Sequence, residues 1–165
     1  MSEAPTPSLW RRFAAMLYEA VLLFAVAFVA IWLFQIAAGG PVTAAGWQRY
    51  ALQAYLLLMF AAYFLWCWLR GGQTLAMKAW RVRLVALEGG PLSARMALLR
   101  FAGACVSVGA LFGAIAAAWI TRNPWFALAT LAVCGIGFGW AMFDRDRQFL
   151  HDRLAGTRLI VVDEE

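Results

Sequence analysis

Residues 13–38 read FAAMLYEAVLLFAVAFVAIWLFQIAA, an apolar run of 26 residues that contains one charge, Glu19. A helix needs about 20 consecutive apolar residues to cross the hydrocarbon core of a bilayer. This run is long enough to span a membrane, and the helix breakers Gly39, Gly40 and Pro41 signal its end. The stretch therefore indicates a membrane protein rather than a soluble one.

The composition and three further apolar runs agree with this reading. The 165 residues are 64% apolar and 14% charged, whereas soluble domains average about 45–50% and about 25%. The other runs lie at about 50–69, 98–120 and 124–143, and three residues separate the last two, which predicts antiparallel neighbours. We expect an all-α membrane protein: a four-helix transmembrane bundle with a small cytoplasmic cap, forming one domain over residues 1–165.

The distribution of Lys and Arg predicts the orientation of the chain. Eleven of them lie in the N-terminal segment, the loop 70–97 and the tail 144–165, and two, Arg49 and Arg122, lie on the opposite side. Because positive residues stay in the cytoplasm, we expect a multi-pass protein of the bacterial inner membrane with both termini cytoplasmic. The net charge of +5 then fits the lipid bilayer as a partner, and we expect no nucleic-acid partner.

The loop and the tail contain signals for a structured cap. Residues 74–80 read as a short interfacial helix, with Leu75, Met77 and Trp80 facing lipid and Lys78 facing water.

Two segments of the cap, Val82 to Ala86 and Thr157 to Val162, have β-strand character. We expect them to pair as a short β-ribbon beneath the membrane, because an unpaired strand edge is not tolerated in hydrocarbon.

Small residues recur at four-residue spacing in the last two runs. Gly109, Gly113 and Ala117 form one stripe, and Gly135 and Gly139 form a GxxxG pair. Such faces allow close packing of helices in lipid, although glycine is also simply more frequent in membrane helices.

Two ionisable residues fall inside predicted spans, and their depth suggests that they meet. Glu19 lies roughly 10 Å inward from Arg12 by the helical rise. The third helix enters from the same side near Ser93 to Arg95, so Arg100 lies roughly 8–10 Å inward by the same rise. A lone charge in the membrane is costly, so we expect Glu19 and Arg100 to pair. The pair is either a static clamp between helices or a site where Glu19 exchanges protons with a transported ion. A third alternative is that Arg100 binds a lipid phosphate and Glu19 is protonated.

The tail contains the chain's one histidine, His151, next to Asp152. The pair could relay protons near neutral pH. The alternative, which we favour, is that Asp152 contacts Arg12 and anchors the tail to the first helix.

Four stretches resemble the signatures of the RDD family of membrane proteins. Residues 12–19 resemble its RxxAxxxD motif, residues 72–85 its GQTLGxxxxxxRV motif, residues 98–100 its arginine at the start of a helix, and residues 144–157 its closing HDrxxGT motif. The resemblance spans nearly the whole chain and implies the membrane fold given above.

The resemblance also implies the residues for which the family is named, one arginine and two aspartates. Arg12 matches the arginine, Glu19 replaces the first aspartate, and Asp152 matches the second, with Asp144 as the alternative. The family's loop glycine is replaced by Ala76. Activity in the family is generally unknown, and cation/proton antiport is suggested for some members.

Two functional hypotheses follow. The first is transport of an ion or small solute through a polar centre of Glu19, Arg100, Arg12 and Asp152, in a chain that would need to form a homo-oligomer. The second is a non-catalytic accessory or assembly protein that binds a membrane-protein partner. We expect no enzymatic activity and no cofactor, since neither a catalytic triad nor a nucleotide motif is present.

We also expect no metal. The chain's three cysteines have neither CxxC spacing nor a nearby histidine.

Overall fold

The computed structural model describes residues 5–42, 46–123, 125–126, 128–129, 132 and 150–162. Its elements in chain order are α1 (Leu9–Ala37), α2 (Trp47–Gly71), α3 (Leu75–Ala79), β1 (Val82–Ala86), α4 (Ala94–Thr121), α5 (Leu150–Leu154) and β2 (Thr157–Val161). Among these, α1, α2 and α4 are long and apolar enough to cross a membrane. They match the first three predicted spans.

The fourth predicted span, residues 124–143, lies largely outside the described residues. Those residues of this stretch that are described are helical. The GxxxG pair of Gly135 and Gly139 also lies outside the described part. The four-helix bundle therefore stays a prediction.

Helices α1 and α4 extend beyond their apolar runs to polar caps. The Ser8 hydroxyl accepts the N–H of Arg11 at 3.3 Å and begins α1, and Ser93 accepts the N–H of Met96 at 3.3 Å and begins α4. Each cap satisfies one of the amide groups that have no partner in the first turn of a helix.

The predicted β-ribbon is confirmed. Strands β1 and β2 are antiparallel, with a register that runs from Val82 opposite Val161 to Ala86 opposite Thr157. Side chains alternate along β1, as a strand with one covered face requires: Val82, Leu84 and Ala86 are buried, and Arg83 is exposed.

One hydrophobic core joins the ribbon to the helices. It consists of Trp68, Met77, Val82, Leu84, Ala97 and Leu159. These residues come from the end of α2, from α3, from both strands and from the start of α4. The core therefore lies at one end of the long helices, and we call the elements around it the cap.

Helix α3 differs from its prediction at one residue. Met77 was expected to face lipid but is 9% exposed and belongs to the core. Leu75 and Lys78 are exposed as expected, and Trp80 is half-buried. The prediction for Met77 is wrong because the strands that cover it come from elsewhere in the chain, so a local amphipathic pattern could not reveal them.

Away from the cap, the long helices present apolar side chains outward. At most 11% of the most apolar window of each helix is buried, which suits lipid rather than water as the surrounding medium. A Cβ built on Gly109 or Gly113 would meet nothing within 4 Å. The expected small-residue face of α4 is thus open within the described part of the chain.

The two ends of the described chain meet at the cap. The N–H of Val161 donates to the carbonyl of Pro5 at 3.0 Å, and the N–H of Val162 donates to the carbonyl of Arg81 at 3.0 Å. The segment before α1, the loop after α3 and the tail are therefore joined through their backbones.

Candidate functional site

The first polar cluster surrounds Glu19 of α1, which is 9% exposed. The Tyr63 hydroxyl of α2 donates to its Oε1 at 2.8 Å, and the Thr74 hydroxyl donates to its Oε2. Each carboxylate oxygen thus has a hydroxyl donor, and each donor belongs to a different element. Hydrogen bonds of this kind lower the cost of burying a carboxylate.

Thr74 performs two roles at this cluster. Its Oγ1 accepts the N–H of Met77 at 3.3 Å and so caps α3, while its hydroxyl proton is donated to Glu19. The residue is 1% exposed. The start of α3 is therefore fixed directly to α1.

The second polar cluster surrounds Arg100 of α4. Its Nη1 donates to Oδ1 of Asp152 in α5 and to Oγ1 of Thr157 in β2 at 3.3 Å. The guanidinium carbon lies 5.2 Å from the centroid of the Trp68 ring. Asp152 and Thr157 are fully buried, so this cluster fastens the tail to the start of α4.

The predicted ion pair between Glu19 and Arg100 is wrong, because each has found other partners. Tyr63 and Trp68 explain the separation: they lie five residues apart on α2, or about 140° around the helix, and each binds one of the two charges. The single polar centre suggested by the sequence is therefore two clusters, each of which contacts a different residue of α2.

The remaining predicted site residues are placed as follows. Arg12 is 2% exposed and lies on α1, and its expected contact with Asp152 stays a prediction. The backbone of His151 belongs to α5. The side chain of His151 and all of Asp144 lie outside the described residues.

Sequence reasoning missed the hydroxyl groups at the site. Thr74 and Thr157 both lie in the quoted motifs, and Thr74 directly precedes a helix, where a threonine typically caps. Tyr63 gave no signal, because one tyrosine in an apolar helix is ordinary.

A family model, described as the RDD family, matches residues 6–156. The chain belongs to the RDD family. No curated protein and no solved structure gives a significant match. The RDD match includes Arg12, Glu19, Arg100 and Asp152, all four of which are buried.

The described part of this RDD protein has no group of three or more His, Cys, Asp or Glu residues that could hold a metal ion. Cys67 is buried and Cys105 is half-buried, and both are free thiols. What the site does offer is the Glu19 cluster, in which a carboxylate and two hydroxyl groups supply oxygen atoms from α1, α2 and the start of α3.

Proposed function

We propose that this RDD protein crosses the membrane four times, with both termini and the cap in the cytoplasm of a bacterial cell. Helix α4 begins at the cap, and the chain is again at the cap from Leu150 onward. The segment between α4 and Leu150 must bring the chain back across the membrane. It is long enough for this, because a helical crossing needs about 20 residues. The hydrogen bond from Val161 to Pro5 supports the same-side placement of the termini, and the excess of bases supports the cytoplasm.

We further propose that the protein exchanges a proton for a small cation at Glu19. The observation that carries this proposal is the buried carboxylate with the hydroxyl groups of Tyr63 and Thr74 on its two oxygens. Carboxylates buried in membrane proteins commonly mark proton and ion pathways.

The chemistry of the cluster suits both occupants. Hydroxyl groups are donors and acceptors, so Tyr63 and Thr74 can donate to an ionised Glu19 or turn their lone pairs toward a cation. Oxygen ligands favour hard cations. A proton bound to the Glu19 carboxylate removes the negative charge that attracts a cation. Binding of either one therefore favours release of the other.

The Arg100 cluster has a different role in this proposal. Asp152 neutralises the guanidinium inside the cap, so that cluster holds the tail in place and does not exchange ions. In this proposal the Glu19 cluster exchanges ions and the Arg100 cluster has a structural role.

Flux measurements test the exchange. Purified protein is reconstituted into vesicles that contain a pH-sensitive dye, and Na⁺, K⁺ or Ca²⁺ is added outside. We expect cation-dependent proton movement that Glu19→Gln abolishes. The matched control is Glu88→Gln, which removes an exposed carboxylate of the loop and is expected to retain the flux.

Two results would contradict the proposal: no flux from the folded wild-type protein with any of these cations, or an undiminished flux from Glu19→Gln. Absence of flux together with co-purification of a fixed membrane-protein partner would instead support a role as an accessory protein.

A further inference from the structure

Among the residues that the structure describes, the exposed charge of the cap is almost entirely positive. The described residues include three acids, Glu19, Glu88 and Asp152, and only Glu88 is exposed. The exposed bases of the cap are Arg70, Lys78, Arg81, Arg83, Arg95 and Arg153. Such an excess of positive charge attracts anions. The positions of two of these bases indicate where an anion would bind.

The first is Arg70, in the last turn of α2. Its guanidinium carbon lies 5.3 Å from the centroid of the Trp66 ring. Both side chains are exposed, Trp66 at 60%. This cation–π contact does not use up the N–H groups of the guanidinium, which stay available as hydrogen-bond donors. Within the described residues, these groups have neither a hydrogen-bond acceptor nor a carboxylate partner.

The second is Arg83 on the exposed face of β1. A Cβ built on Gly72 would lie 3.2 Å from the Cγ of Arg83, so the stem of this side chain passes over the glycine that ends α2. Gly72 follows Arg70 by two residues, or at most about 7.6 Å between Cα atoms. Two exposed arginines therefore lie beside the same turn, and their combined positive charge attracts an anion.

We propose that Trp66, Arg70 and Arg83 form a binding site for the headgroup of an anionic phospholipid. The two guanidinium groups bind the phosphate, for which their planar donor geometry is suited. The Trp66 ring lies at the headgroup level beside the acyl chains, as tryptophan does in membrane proteins.

Lipid is favoured over a soluble phosphate by the surroundings of the site. Trp66 belongs to a helix that is apolar enough to cross a membrane, and its neighbour Leu69 is 44% exposed. A ligand at this site must therefore offer a charged group to the arginines and an apolar part to Trp66 and Leu69. This inference does not depend on ion exchange at Glu19.

Lipid titration of the purified full chain tests the site. Native mass spectrometry measures the dissociation constants of phosphatidylglycerol and phosphatidylcholine for the wild-type protein, Arg70→Gln, Arg83→Gln and the double variant. One base near an anionic lipid contributes about 1 kcal/mol, or about fivefold in affinity. We expect phosphatidylglycerol to bind about fivefold more weakly to each single variant and about 30-fold more weakly to the double variant, with phosphatidylcholine unchanged.

Arg49→Gln is the matched control, because Arg49 is an exposed base at the opposite end of α2. It is expected to bind phosphatidylglycerol like the wild type, and circular dichroism verifies that all variants fold. The proposal is overturned if the wild type shows no preference for phosphatidylglycerol, or if Arg49→Gln weakens binding as much as Arg70→Gln. Equal affinity for soluble glycerophosphoglycerol would overturn the assignment to lipid.

Discussion

Arg100 and Asp152, 52 residues apart in the sequence, form a buried ion pair that fastens the tail to the start of α4. Asp152 is fully buried, and the Arg100 side chain is 10% exposed. The contact of Arg100 with Thr157 extends the same link to β2. This ion pair therefore adds a side-chain link to the backbone hydrogen bonds that join β2 to β1 and to the segment before α1.

Asp152→Asn is expected to destabilise the protein by about 3–5 kcal/mol, because it leaves a buried guanidinium without a counter-charge. Thermal unfolding in detergent, followed by circular dichroism, measures the effect. Glu88→Gln makes the same chemical change at an exposed carboxylate and should unfold like the wild type. Equal midpoints for the two variants would show that the pair contributes nothing.

Thr74→Val is expected to reduce stability by about 2–3 kcal/mol, since it removes a helix cap and one of the two donors to Glu19. Thr74→Ser retains the hydroxyl and should recover most of this loss. The comparison is made by chemical denaturation of both variants. If valine and serine behave alike, the hydroxyl is not what stabilises this position.

Gly72→Ala is expected to cost about 3 kcal/mol. The residue has φ +66°, a conformation that costs other residues about 1–2 kcal/mol, and its Cβ would lie 2.5 Å from the carbonyl oxygen of Leu84. Gly71→Ala is the control, because a Cβ there meets nothing within 4 Å. Thermal unfolding should separate these adjacent substitutions, and an unchanged Gly72→Ala variant would contradict the close approach of β1.

The four-crossing arrangement predicts that Pro41 and Glu88 are accessible from opposite sides of the membrane. Both are exposed, one after α1 and the other beyond β1. In a background without native cysteines, an impermeant maleimide should label Pro41→Cys in intact cells and should label Glu88→Cys only after lysis. Labelling of Glu88→Cys in intact cells would overturn the orientation.

Elements with a strong local pattern could be predicted from the sequence. The first span, α1, appears as an apolar run with a single charge, and the β-prone stretch Val82 to Ala86 has the observed bounds of β1. The pairing of β1 with β2 could be inferred because both are short, β-prone and outside the apolar runs, so each needed a partner. Each of these elements is recognised from residues close together in the chain, although the two strands that pair are distant from each other.

The partners of the buried charges could not be predicted in the same way. The sequence predicts a pair between Glu19 and Arg100 because both are charged and lie at similar depth. The structure satisfies Glu19 with two hydroxyl groups and satisfies Arg100 with a carboxylate from the tail. Which side chains reach a buried charge depends on helix rotation and on the return of distant segments, and neither is encoded in a local motif.

The late position of Asp152 in the chain has a consequence for biogenesis, because this residue neutralises Arg100. During translation, α1, α2 and α4 leave the ribosome well before the residues that complete the cap. Through that interval Arg100 has no access to Asp152, so insertion into the bilayer must precede closure of the cap. A nascent chain arrested ahead of residue 152 would hold this guanidinium unneutralised, and quality-control proteases could recognise that state.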